Sequence, residues 1–255
     1  MNLQDLLVKQ GGFLFRWRSY LPLLLVFPGI AALSHSEVIE NYLGDNVEDM
    51  LVFISYLISI AGLAIRWYTV ATVPPGTSGR NTQEQRADTL NTTGMYSIVR
   101  NPLYLGNFIV ILGMLLSLKV WWFILIGLMA YWIYIERIIA TEERYLVDKF
   151  GAVYTEWALR TPIFLPKFSL WQKPSMPFNF KKVLRSEYNG LMVVSAAFFL
   201  FEVLADLLFE QEPFEQWVRD DCFWWIQFFA TALIFLLLRH LKKNTRLLNT
   251  QQGNG

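Results

Sequence analysis

Residues 94–166 hold nearly all the side chains in this chain that could do chemistry. Gly94-Met95-Tyr96-Ser97-Ile98-Val99-Arg100-Asn101-Pro102-Leu103-Tyr104-Leu105-Gly106 precedes two apolar stretches. Glu142-Glu143-Arg144-Tyr145-Leu146, Phe150-Gly151-Ala152-Val153-Tyr154-Thr155-Glu156-Trp157 and Thr161-Pro162-Ile163-Phe164-Leu165-Pro166 follow them. Arg100 stands just before an Asn-Pro helix start, and a helix N-terminus beside an arginine is a ready anion site. Asn101, Tyr104 and Asn107 recur at a spacing of three and so share one helix face. Glu142 and Glu143 are carboxylates that can hydrogen-bond a ribose diol or pair with an ammonium. Tyr154 and Trp157, just after Gly151, could wall an adenine ring.

Each of these residues also has a plainer use. Asn107, one turn inside the apolar stretch, could serve a helix-to-helix hydrogen bond, and Tyr104 could be an interface anchor. Arg100 could be a basic anchor, and Tyr154 and Trp157 could pack a short helix on a membrane surface. Glu136, seven residues before Glu143, is assigned to a solvated helix end that pairs with Arg144. What favours chemistry is convergence: polar groups lie at both ends of one hydrophobic hairpin, and closing the hairpin brings them to a single membrane surface.

The elements that must position them are apolar helices. Of 255 residues, 54% are hydrophobic and 17% charged, with 10 Trp, 11 Tyr and 20 Phe, which points to a polytopic membrane protein with aromatic belts. The net charge of +1 argues against nucleic acid as a partner. Cys222 is the only cysteine, and His35 and His240 lie far apart, so no metal site is expected. Six apolar stretches run over Leu21–Leu33, Leu51–Val70, Leu103–Leu118, Val120–Ile139, Tyr188–Phe209 and Cys222–Leu241. The second, fourth, fifth and sixth approach the ~20 residues needed to cross hydrocarbon. The first, with Pro22, Pro28 and Gly29, is read as a membrane-embedded segment in preference to a signal peptide.

The expected fold is therefore all-α, a polytopic integral membrane helical bundle of about six membrane segments with both termini cytoplasmic. Charge sets that orientation: of the 22 Lys and Arg, only Lys119 and Arg219 fall outside. Residues 71–102 and 140–187 then face the cytoplasm. Pro74–Asn81 reads as a loop, Thr82–Leu90 as a short surface helix, and the tail after Arg246 as disordered. Asn101 is the expected N-cap and Pro102 the first residue of the third segment. Lys119 marks a tight outer turn. The following helix runs unbroken to Phe150, with Gly151 as its terminator. Gly106, Gly113 and Ser117 are expected to pack closely against that fourth helix. Glu202 and Asp206, near the outer end of the fifth stretch, are expected at a wetted interface. The chain reads as a single membrane domain over 1–255, with the motif-bearing stretch inside 50–166, which the resemblance given next implies is the catalytic core, and an additional C-terminal helical hairpin at 185–241.

The motif set resembles the isoprenylcysteine carboxyl methyltransferase and phospholipid methyltransferase superfamily. Its pattern is roughly G-x-Y-x-x-x-R-H-P-x-Y-x-G, a helical hairpin, E-E-x-x-L, F-G-x-x-Y-x-x-Y and a closing Pro. Gly94, Tyr96, Arg100, Pro102, Tyr104, Gly106, Glu142, Glu143, Leu146, Phe150, Gly151, Tyr154 and Pro166 match it. Asn101 replaces the family histidine, and Trp157 replaces the second tyrosine. Asparagine keeps hydrogen bonding but cannot act as a base near neutral pH.

The resemblance implies an S-adenosylmethionine-dependent membrane O-methyltransferase acting on a phosphate or carboxylate of a membrane lipid or lipidated substrate. Its implied place is a bacterial inner membrane, with the active site facing the cytoplasm. The cofactor pocket is expected from Asn101, Leu103, Tyr104, Glu142, Glu143 and Tyr154, and catalysis from Arg100, Asn101 and Glu143. Arg100, Asn107, Arg137 and Trp157 would meet the substrate, and Arg66, Arg80, Arg86 and Arg137 would form a basic rim suited to phosphate. Competing readings are an NADPH-dependent reductase of the sterol reductase type and a non-catalytic lipid-binding scaffold.

Overall fold

A computed structural model describes residues 3–17, 20, 24–33, 44–74, 87–209, 213–245 and 247–248. Among these, all regular structure is helical. The helices are α1 (Leu3–Trp17), α2 (Val26–Leu33), α3 (Asp45–Thr72), α4 (Met95–Ile98), α5 (Pro102–Ser117), α6 (Trp121–Phe150), α7 (Ala152–Arg160), α8 (Phe180–Glu202), α9 (Phe214–Asp220) and α10 (Cys222–Asn244). A π-helical segment, Val203–Phe209, prolongs α8.

Four helical runs are long and apolar enough to cross a membrane: Val47–Thr72, Trp121–Phe150, Phe180–Phe209 and Cys222–Asn244. They correspond to the second, fourth, fifth and sixth apolar stretches. Their outward faces are bare hydrocarbon, for example Trp121, Leu125, Met129 and Trp132 on α6 and Leu233, Leu236 and Leu237 on α10. Such continuous exposed apolar surface marks an integral membrane protein. The other two stretches do not make full crossings among the described residues. The first yields only the 8-residue α2. The third is α5, whose 16 residues reach about 24 Å against a hydrocarbon core of about 30 Å.

α5 is short but central, and small residues set its place. Gly62 of α3 and Gly106 and Gly113 of α5 let the two backbones touch. A Cβ added at Gly62 would lie 2.6 Å from the Gly106 carbonyl oxygen, and one at Gly113 would lie 2.3 Å from Ser59 Oγ. Ser59 Oγ donates to the Val110 carbonyl at 3.0 Å, satisfying a hydroxyl where hydrocarbon offers no partner. This corrects one expectation: Gly106 and Gly113 pack against α3, not against the fourth helix, and Ser117 donates to the Met114 carbonyl of its own helix. Gly127 is the small residue between α5 and α6, with Leu115 against it.

The C-terminal hairpin of α8 and α10 docks on α3 through Val52, Leu63, Val194, Phe198 and Trp224. Phe199 and Phe228 stack at 4.4 Å within the hairpin. Ser195 and Gln227 exchange hydrogen bonds at 2.6 and 3.2 Å. At the outer end, Lys119 adopts φ 59° in the expected turn and pairs with Glu48. Glu202 is nearly buried close by, within 4.8 Å of Asp206 and Asp221 by carboxylate oxygen, so these acids form a compact cluster.

Four local expectations can be compared with the structure. Gly151 ends α6 at φ 56°, its N–H bonding to the Val147 carbonyl at 2.8 Å. Asn101 and Pro102 do begin α5, but the Asn101 side chain does not cap the helix. Ala87–Leu90, the described part of the expected surface helix, is not helical, and its remainder lies outside the described residues, as does all of the expected Pro74–Asn81 loop after Pro74. In the tail, Leu247 and Leu248 form a turn in which Leu248 is buried and its carbonyl accepts from Arg185 Nη1 at 3.3 Å.

Candidate active site

The site is assembled by a strap. Residues 161–172 run back along 94–101 and stitch to them. Arg100 N donates to the Pro162 carbonyl at 2.8 Å, Lys167 N to the Ile98 carbonyl at 2.9 Å, and Gly94 N to the Gln172 carbonyl at 3.1 Å. Asn101 Nδ2 donates to the Ile163 carbonyl at 3.1 Å, and Gln172 N to Ser97 Oγ at 2.9 Å. Phe164 anchors the strap edge-on between Phe108 at 5.3 Å and Trp132 at 4.9 Å. Gly94 takes φ 60°, a left-handed conformation that suits glycine, and a Cβ there would press on Pro174 at 3.2 Å. The Thr-Pro…Pro segment thus fixes the backbone that carries Arg100.

Arg100 sits between α4 and α5, and Glu143 approaches it from α6. Arg100 Nη1 lies 3.1 Å from each Glu143 oxygen, with hydrogen-bond alignment to Oε2. Both side chains are largely buried, at 15% and 22% exposure, so the pair is shielded from screening. Tyr154 of α7 closes this corner from behind. It is 2% exposed. Burial, and next the Glu143 carboxylate, push its phenol well above the ordinary value, so Tyr154 stays protonated as a hydrogen-bonding group.

In front of the pair lies a cavity of about 610 Å³. Of the expected site residues, Arg100, Asn101, Leu103, Tyr104, Asn107, Glu142 and Trp157 line it. Glu143 and Tyr154 do not reach the lining; they form the layer that holds Arg100. Two buried donors of the lining residues, Arg100 Nε and Trp157 Nε1, have no hydrogen-bond partner among the described residues. Buried donors without partners are costly, so they suit a site that accepts a polar ligand.

Arg137 is not in the lining. Its Nε donates to Gln10 Oε1 of α1 at 2.8 Å and its Nη1 to the Ile133 carbonyl at 2.6 Å. α1 lies against this face so tightly that a Cβ on Gly11 would sit 2.1 Å from the Arg137 carbonyl oxygen. A role for Arg137 at the substrate is therefore not supported by its position. Of the expected basic rim, Arg66 lines the cavity and Arg137 does not. Arg66 is engaged by Glu187, and Arg80 and Arg86 lie outside the described residues. Glu136 is exposed, and Arg144 pairs with Asp148 at 3.4 Å in place of the surface pairing expected with Glu136.

The sequence reading missed Glu187. It is 4% exposed in α8 and grips Arg66 of α3 through two bonds, Nε to Oε2 at 2.9 Å and Nη2 to Oε1 at 3.2 Å. Arg66 Nη1 also donates to Asn107 Oδ1 of α5 at 2.6 Å. Three helices thus meet at one guanidinium in the cavity wall. The Arg66 stem crosses Gly106, where a Cβ would lie 2.6 Å from Arg66 Cγ. A membrane-embedded arginine needs an acid, and Glu187 is the one signal that could have been followed.

Residues 52–153 match the family described as phospholipid methyltransferase. Three curated relatives align over parts of their length. A cobalt-zinc-cadmium resistance protein of Cupriavidus metallidurans is 32% identical over 46% of this chain and 56% of its own. The protein-S-isoprenylcysteine O-methyltransferase of Schizosaccharomyces pombe is 36% identical over 30% and 33%. A nickel-cobalt-cadmium resistance protein of Alcaligenes xylosoxydans is 34% identical over 38% and 43%. The chain therefore spans about half the length, or less, of the curated relatives it matches. No solved structure matches it.

Proposed function

We propose that this chain, whose residues 52–153 match the phospholipid methyltransferase family and which is similar in part to an isoprenylcysteine O-methyltransferase, is an S-adenosylmethionine-dependent O-methyltransferase of an acidic lipid group. It acts in a bacterial inner membrane, with its site facing the cytoplasm. The observation that carries this reading is the Arg100–Glu143 pair beside a cavity of about 610 Å³ whose lining includes two buried donors without a hydrogen-bond partner among the described residues.

S-adenosylmethionine, when bound, supplies a methyl carbon on a cationic sulfur. The residues present fit such a group. Glu142 offers the lining a carboxylate for hydroxyls or an ammonium, Arg100 Nε and Trp157 Nε1 offer donors, and Leu103 and Tyr104 offer apolar surface. Glu143 keeps the Arg100 fork in one orientation, and Tyr154 seals the far side. Catalysis of this kind is mostly positioning and charge placement. Asn101 is committed as a donor to the Ile163 carbonyl and has no basic nitrogen. An acceptor that is already ionised needs no proton removed, which favours a phosphate or carboxylate oxygen.

Two of the relatives are named for metal resistance. A methyl ester on an anionic headgroup removes negative charge that would hold cations at the membrane, so the same chemistry would suit such a role here. Transfer of a tritiated methyl group into lipid extracts, followed by base treatment, tests the reading. Base-labile label in an acidic lipid is expected. Label retained as N-methyl ethanolamine lipid would refute it.

A further inference from the structure

Between Trp157 and Ser186 the chain carries six basic residues and no acid: Arg160, Lys167, Lys173, Lys181, Lys182 and Arg185. The same stretch holds the strap that fastens the site. We propose that residues 159–181 form an interfacial platform that binds the phosphates of anionic bilayer lipids around the site's end of the helical bundle. The binding itself is independent of the methyltransferase reading. That these lipids are the pool from which the acceptor is drawn rests on it.

The platform lies where the spanning helices end. Phe164 packs edge-on at 4.9 Å against Trp132, which belongs to the lipid-facing surface of α6. Trp171 and Phe178 have ring centroids 6.1 and 6.3 Å from Tyr68, one turn before the end of α3. Asn179 N donates to the Ala71 carbonyl at 3.0 Å, and Phe180 then opens the spanning run of α8. The chain from Phe164 to Phe180 thus passes from the lipid side of α6 to the ends of α3 and α8, at the level where hydrocarbon gives way to headgroups.

Its side chains suit that level. Leu165 and Phe168 are 78% and 74% exposed, and Leu159, Phe178 and Phe180 are exposed too. Arg160, Lys167, Lys173 and Lys181 are interspersed with them and also exposed. Lys182 and Arg185 differ, since they donate to the Val73 and Leu248 carbonyls. Large apolar side chains at the bilayer edge gain by entering it, while bases beside them stay level with the phosphates. Basic loop residues also set the orientation of a membrane protein. That role needs charge alone and gives no reason for an exposed Leu159, Phe168 and Phe180 to adjoin Arg160, Lys167 and Lys181. The strap's backbone in turn holds Arg100 N at 2.8 Å and the Ile98 carbonyl at 2.9 Å, so lipid bound to it is held beside the site.

Quenching of a fluorophore on the strap tests this with the full chain reconstituted in bilayers. Bimane is attached to Ser169→Cys in a Cys222→Ser background, because Ser169 is exposed within the platform. In a separate sample it is attached to the native Cys222, which is exposed at the end of α10 away from the site. Brominated phosphatidylglycerol and brominated phosphatidylcholine are compared as quenchers. At position 169 the phosphatidylglycerol should associate about fivefold more strongly, the effect of one base near an anionic surface. That preference should fall to near equality in Lys167→Gln/Lys173→Gln/Lys181→Gln and persist in Lys167→Arg/Lys173→Arg/Lys181→Arg. Salt at about 1 M should remove it without any substitution. At Cys222 the two lipids should quench alike. Equal quenching at position 169, a preference that survives the glutamine substitutions or the salt, or the same preference at Cys222 overturns the platform. If the preference behaves as expected while no lipid accepts a methyl group, the platform stands and the methyltransferase reading fails.

Discussion

Removing the Glu187 carboxylate should cost this protein much of its stability. In Glu187→Ala the Arg66 guanidinium loses bonds of 2.9 and 3.2 Å and keeps the 2.6 Å bond to Asn107. Breaking a buried ion pair by deleting one partner costs about 3–5 kcal/mol, because the other charge stays uncompensated. Arg66 retains 22% exposure, which places the expectation near about 3 kcal/mol. At about 2–4 °C per kcal/mol for a chain of this size, the midpoint should fall by about 6–12 °C. The double variant Arg66→Met/Glu187→Leu should recover most of that loss, since it removes the desolvation penalty together with the attraction. Thermal unfolding in detergent, followed by tryptophan fluorescence, reads both. If Glu187→Ala melts within about 2 °C of wild type, or the double variant is worse than the single, the three-helix junction does not hold the hairpin in place.

Three further expectations follow from local geometry. Gly106→Val should abolish folded expression by driving a side chain into Arg66 Cγ and the Gly62 carbonyl, 2.6 and 2.8 Å from its Cβ, whereas Gly12→Ala, which meets open space, should express normally in the same size-exclusion assay. The Tyr154 phenol, raised by burial and by Glu143, should neither titrate nor shape the rate between about pH 6.5 and 8.5; above about pH 10 the unfolded chain loses this proton while the folded one keeps it, so stability should fall there, and a smaller fall in Tyr154→Phe checks the sign. Lys167→Cys in a Cys222→Ser background should react with a membrane-impermeant maleimide only after permeabilisation, and labelling in intact cells would reverse the proposed orientation.

What the sequence made legible was local. Gly151 ends α6 because its positive φ suits glycine, and Asn101-Pro102 opens α5, both readable from residue type alone. The meeting of Arg100 with Glu143 followed from closing one hairpin. The misses were relational. Arg66 and Glu187 are 121 residues apart, with no periodicity to connect an arginine in one apolar helix to an acid in another. Gly106 and Gly113 announced close packing, but small residues do not name the helix they admit, and α3 took the place expected of α6. Arg137 looked available from its place in the sequence, but Gln10 of α1 and the Ile133 carbonyl of its own helix engage it. Apolar length alone also did not separate full crossings from shorter helices: among the described residues α2 is one short helix, and α5 is cut to 16 residues by Asn101-Pro102 at one end and the Lys119 turn at the other.

Calorimetric titration of purified protein with S-adenosylhomocysteine and, separately, NADPH tests the central claim most directly. The account predicts saturable binding of S-adenosylhomocysteine, weakened about tenfold to hundredfold in Glu143→Ala, where Arg100 loses the partner that orients it, and no binding of NADPH. Tight NADPH binding with none of S-adenosylhomocysteine would contradict it and return the cavity to a reductase.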